Sequence, residues 1–112
     1  MTTGAAPANE VHLIGRVSGA PTSRTLPSGD ELVQLRVVVP RPPRRGSDTR
    51  TQVDTIDVAC WSARTRASAL RLPEGHGVEI TGALRRRFFA AGAGRASRYE
   101  VEAASVRRVT LP

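Results

Sequence analysis

Lysine is absent from this sequence: all 17 basic residues are arginine, set against 10 acidic ones, for a formal net charge of +7. A GC-rich genome that favours arginine codons and selection for planar guanidinium groups both account for such a bias, and the physical result is the same. Each guanidinium stays charged and can grip a phosphate through two parallel hydrogen bonds. The balance favours a polyanionic partner. A single cysteine, Cys60, excludes an internal disulfide. No segment has the charged start, apolar middle and small-residue cleavage site of a secretion signal, and no apolar run is long enough for a bilayer. A cytoplasmic protein without membrane contact is the expectation. Histidine is limited to His12 and His76, expected at the surface or a strand edge, and no metal-ligand spacing occurs. Neither catalysis, a metal, a cofactor nor a small-molecule substrate is therefore expected.

What is present is a run of alternating strands. The length of 112 residues fits one domain. Residues 1–8 are small, polar and proline-interrupted, which predicts a flexible lead-in to a domain over 9–112. Val11, Leu13 and Val17 alternate around Gly15, where a bulge or barrel corner is expected, and a turn-rich stretch follows to Asp30. Val33, Leu35, Val37 and Val39 share one face of a second strand. Residues 40–50 hold Pro40, Pro42 and Pro43 with Arg41, Arg44, Arg45 and Arg50, a solvated and strongly charged connection. A third strand over about 52–61 separates Ile56, Val58 and Cys60 from Thr55, Asp57, Ala59 and Trp61. Cys60 is expected to be a buried small hydrophobe.

Ser62 can cap a short helix with Ala63, Ala67 and Leu70 on one stripe, stopped by Pro73 and Gly75. Val78, Ile80, Gly82 and Leu84 mark a fourth strand, with Arg85, Arg87 and Phe89 on its other side. A loop over 90–97 leads to a fifth strand over about 98–109. There Tyr99 shares the parity of Val101 and so is expected in the core, and a change of phase is needed to bury Val106 and Val109. Three strands, a helix and two strands match a five-stranded oligonucleotide/oligosaccharide-binding (OB) barrel better than an immunoglobulin-like sandwich, which needs about seven strands.

Unpaired nucleic acid is held by a positive groove along the phosphates and by aromatic faces on which bases stack. Trp61 and Phe89 supply aromatic faces on the outward parity, with Phe88 expected to point inward. Arg85 and Arg87 share that parity, Arg36 lies on the outward side of the second strand, and Arg41, Arg44, Arg45 and Arg50 could close over a bound strand. The bland readings are concrete. Trp61 could cap the barrel end or sit in a subunit interface, and the arginine runs could be solvated faces.

The order of motifs resembles the bacterial single-stranded-DNA-binding (SSB) family over nearly the whole chain. Asn9-Glu10-Val11-His12-Leu13-Ile14-Gly15 is similar to its N-x-V-x-L-I-G opening. Pro21, Arg24 and Pro27-Ser28-Gly29 stand where its next turn keeps proline, arginine and a P-[SN]-G triplet. Leu35-x-Val37 with Arg41 resembles its second strand, and Val78-x-Ile80-x-Gly82-x-Leu84-Arg85-x-Arg87 its fourth. Phe89 stands where the family places a base-stacking aromatic, Arg98-Tyr99 matches the pair opening its last strand, and Trp61 lies one position after a family aromatic.

The sequence also departs from that pattern, with Thr55 in place of an aromatic and a Pro/Arg-rich arm in place of another. The resemblance implies a homotetramer, or a homodimer, that binds single-stranded DNA without catalysis in replication, recombination or repair, near the nucleoid. The sequence ends at Pro112 without the family's acidic tail, which is expected of a tail-less paralogue. Sparse aromatics shift the expected weight to phosphate contacts and hence to strong salt sensitivity. The competing readings are an OB-fold interaction module of weak DNA affinity that pairs with an SSB paralogue, and a primosome-type or RNA binder.

Overall fold

A computed structural model describes residues 4–43 and 52–112. Five strands close into a barrel in the order β1-β2-β3-β5-β4, with β1 (Val11–Thr25), β2 (Glu31–Pro40), β3 (Val53–Cys60), β4 (Gly77–Ala91) and β5 (Gly94–Val109). A single helix among the described residues, α1 (Ala63–Leu70), lies between β3 and β4. All pairings are antiparallel except that of β3 with β5, which meet only at Val58–Val101 and Ala59–Glu102. This is the expected OB architecture.

The alternation read in β2 sets the interior. Val33, Leu35 and Val37 are buried with Val17, Val58, Cys60, Val78, Ile80, Val101 and Ala103, and Val39 and Ile56 pack at the margin. Cys60 is sealed in, and burial pushes its thiol up to about 11. Because side chains alternate strictly, one misplaced residue would turn a strand's apolar set outward. The phase change expected in β5 is met by one extra residue. Thr81 pairs with Ser105 but Gly82 with Ala103, which leaves Ala104 as the bulge that returns Val106 to the interior. A Cβ on Gly82 would overlap the Glu102 carbonyl oxygen. Only glycine lets the strands approach at this kink.

Four expectations are corrected. β1 does not end near Val17 but runs to Thr25, leaving β4 for β2 at Arg16, with the irregularity between Ser18 and Thr22, where Gly19 takes a φ of 75°. Pairing with β2 supplies what the turn-rich composition lacked. In α1, Ser62 accepts the Thr65 N–H at 3.1 Å, as expected of a cap. The buried stripe, however, is Thr65 and Ala69, with Leu72 beyond, while Ala63, Ala67 and Leu70 face out. Both stripes have helical spacing and small side chains; the cap satisfies the Thr65 hydroxyl, so burying it costs little.

The third and fourth corrections concern the β4–β5 hairpin. The stretch read as a loop over 90–97 continues the ladder out to Ala91–Gly94, closed by Gly92 at a φ of 58° and Ala93. Past Leu84 and Glu100 the two strands pair only with each other among the described residues, and they form an arm beyond the barrel. On it neither phenylalanine is core, and Tyr99 is 59% exposed although Val101, on its parity, is buried. Parity assigns a side chain to a face; only an opposing wall makes that face an interior.

Candidate nucleic-acid interface

The ladder registers sort the arm into two faces. Arg85 lies opposite Glu100, Arg87 opposite Arg98, and Phe89 opposite Ala96, so these residues share one face with Glu102. The same parity continues across the barrel wall, where Ala59, itself buried, neighbours Glu102 on one side and Gln34 on the other, and Arg36 pairs with Asp57 in the next row. Asn9 fixes the root of the arm: its amide donates to the Leu84 carbonyl at 2.8 Å and its oxygen accepts the Leu84 N–H at 2.9 Å.

Trp61 follows the end of β3, half-buried, with the Arg87 guanidinium carbon 4.5 Å from its ring centre. Its indole Nε1 is shielded and has no hydrogen-bond partner among the described residues. Trp61 and Arg85 line a groove of about 870 Å³ together with His12, Thr81, Glu102 and Ala104. Phe89 stands farther out, 43% exposed, with the Arg98 guanidinium 5.5 Å from its ring. Arg98 in turn borders a polar groove of about 290 Å³ with Arg36, Asp57 and Glu100. Trp61, Arg85 and Arg87 are thus brought together, Phe89 and Arg98 form a second cluster on the same face, and Arg36 reaches that cluster through the groove. Arg41 sits apart, at the far end of β2. Arg44, Arg45 and Arg50 lie outside the described residues.

Sequence reasoning missed the carboxylates between these arginines. Arg36 donates to Asp57 at 3.3 Å, Arg85 to Glu102 at 3.0 Å, Arg87 to Glu100 at 3.0 Å, and Arg41 to Asp54 at 2.7 Å as well as to Gln52. The hydrogen bond from Arg41 holds the Asp54 carboxyl below its usual range. Glu100 is only 5% exposed, so its pairing with Arg87 is structural as well as electrostatic. The signal was present in the alternation Arg98-Tyr99-Glu100-Val101-Glu102, whose even positions face the odd positions of β4. Reading it required the register. The face therefore offers ring surfaces and guanidinium groups, but a phosphate arriving there must compete with a carboxylate for most of those groups.

His12 and His76 are exposed, as expected; His12 meets Glu79 at 2.7 Å, and Glu79 also accepts from Arg107. The Arg107 hydrogen bond first, and that of His12 second, hold the Glu79 carboxyl low. No group of acidic, histidine or cysteine side chains suited to a metal occurs among the described residues. No described helix is long and apolar enough to cross a membrane.

Comparison with known proteins points the same way as the barrel. Among solved structures, the Plasmodium falciparum SSB in its complex with ssDNA is similar with a TM-score of 0.79, over 96% of this chain and 99% of that one, at 16% sequence identity. At that identity the likeness speaks for the fold. No curated protein matches at a significant level. The profile described as the single-strand binding protein family matches residues 8–109, from the residue before Asn9 to the last residue of β5, and on that match the chain belongs to the single-strand binding protein family.

Proposed function

We propose that this protein binds single-stranded DNA without catalysis and with little regard to sequence, serving replication, recombination or repair as a homo-oligomer, in the first instance a tetramer. The observation that carries the proposal is that Trp61 and Arg85 line one groove with Arg87 over the Trp61 ring, while Phe89 and Arg98 stand farther along the same face of the arm. Ring faces hold bases by stacking, and guanidinium groups follow the phosphates. Titration with oligo-dT while following Trp61 fluorescence tests it. Quenching at low salt that weakens steeply as salt rises is the expected result, and no change in emission at low salt overturns it.

The carboxylates favour a second reading. With Arg36, Arg41, Arg85 and Arg87 already in ion pairs, the barrel could serve mainly as an interaction module of weak DNA affinity that pairs with another SSB chain. Co-purification with such a chain that survives both nuclease and high salt separates the two readings, because bridging through DNA survives neither. Competition between RNA and DNA oligomers decides between single-stranded DNA and RNA as ligand.

A further inference from the structure

The other face of the arm carries the same ingredients without the acids. Leu84 lies opposite Val101, Arg86 opposite Tyr99, Phe88 opposite Ser97, and Ala90 opposite Arg95. The Arg86 guanidinium carbon stands 4.9 Å from the Phe88 ring centre and 5.6 Å from that of Tyr99, and Arg86 donates to the Ser97 hydroxyl from two nitrogens. Phe88 is 65% exposed and Tyr99 59%. None of the eight residues on this face is acidic, and neither Arg86 nor Arg95 meets a carboxylate among the described residues. An exposed pair of rings clamped on a cation carries an apolar surface and a fixed positive charge together, a combination that fits an anionic chain of flat rings.

We propose that this face is a second contact surface for single-stranded DNA, on which a strand leaving the Trp61 groove crosses the edge of the arm and stacks on Phe88 and Tyr99 while Arg86 and Arg95 meet its phosphates. It rests on the DNA-binding reading above. Charge complementarity selects the occupant: a partner protein would have to bring its own acids to two unneutralised guanidinium groups, whereas every nucleotide brings a phosphate. A strand that follows both faces occupies more nucleotides than one confined to the Trp61 side.

The test compares two lengths of oligo-dT, about 8 and about 35 nucleotides, chosen within and beyond the reach of one OB barrel. Trp61 fluorescence reads both in the parent protein and in the double variant Arg86→Ala/Phe88→Ala. Both side chains are exposed and outside the core, and thermal melting checks that the variant folds. The expected result is a loss of about tenfold or more for the long oligomer, the worth of one stacked base, with the short one unchanged. An equal loss for both lengths, or none for either, overturns the proposal. So does an altered oligomeric state in sedimentation with DNA affinity intact, which would give the face to a second copy. A parent that binds neither oligomer defeats the DNA-binding reading itself, so the two failures are told apart.

Discussion

The two faces of the β4–β5 arm are built from one ladder, yet they are electrostatically unlike. On the face shared with Trp61, Arg85 and Arg87 are held by Glu102 and Glu100; on the other, Arg86 is held by aromatic rings and a hydroxyl. A carboxylate partner lowers the local positive potential and must be displaced before a phosphate can take the same donors. A ring partner leaves the guanidinium charge uncompensated and only fixes its direction. The same residue type at neighbouring positions thus serves two purposes, and strand alternation separates them. A stretch of three arginines divides its partners between two faces, although all three border one hollow at the edge of the arm with Phe88 and Glu102.

The sharpest way to break the comparison is to remove the ring from the acid-laced face. Phe89→Ala should weaken oligo-dT binding by about 1–3 kcal/mol if a base stacks there. An unchanged affinity in a fluorescence titration would return Phe89 to a structural role against Arg98. Next in size is a stability effect in the absence of DNA. Arg87→Met leaves the nearly buried Glu100 without its partner and should cost about 1–2 kcal/mol in urea unfolding, reduced because Arg87 itself is partly exposed. Arg86→Met, with no buried acid behind it, should cost less. Equal losses would mean that the two faces do not differ in this respect.

Smaller still is the effect of freeing an exposed arginine. Asp57→Asn and Glu102→Gln should each raise affinity for oligo-dT about two- to fivefold at low salt, the range set by an exposed ion pair. Glu79→Gln changes net charge by the same amount on the barrel wall outside the arm. It should raise affinity less, and an equal gain would assign the effect to overall charge. The last prediction concerns pH. Because the folded state holds the Glu79 carboxyl low, its ion pairs stabilise above the ordinary carboxylate range, and that contribution fades as pH falls through it. Thermal melting from about pH 5 to pH 3 should therefore decline less steeply in Glu79→Gln than in the parent.

Much of the barrel was legible because its signals are local. Four apolar residues at alternate positions from Val33 to Val39 fix which face of β2 turns inward, Ser62 announces α1, and the missed beat between Ala103 and Val106 demands a bulge. The arm was not legible. Residues 90–97 are mostly alanine, glycine and serine, with no apolar alternation to mark a strand, and their pairing is propagated outward from the barrel. Phe88 and Tyr99 sit on the inward parity, so the assignment to core failed where the opposing wall ends rather than in the alternation itself. The neutralising acids were invisible for a related reason: Arg36 and Asp57 are adjacent only through the β2–β3 register.

The sequence alone determined the succession of five strands and one helix along the chain, most of the strand residues that fill the barrel, the excess of guanidinium groups and the candidate rings at Trp61 and Phe89, because alternation, composition and charge belong to the chain before it folds. Tertiary structure decided which arginines keep their charge uncompensated. That outcome depends on which residue stands opposite across a ladder closed over tens of intervening positions, and there the uniform all-arginine surplus divides into a carboxylate-matched face and an aromatic-clamped one.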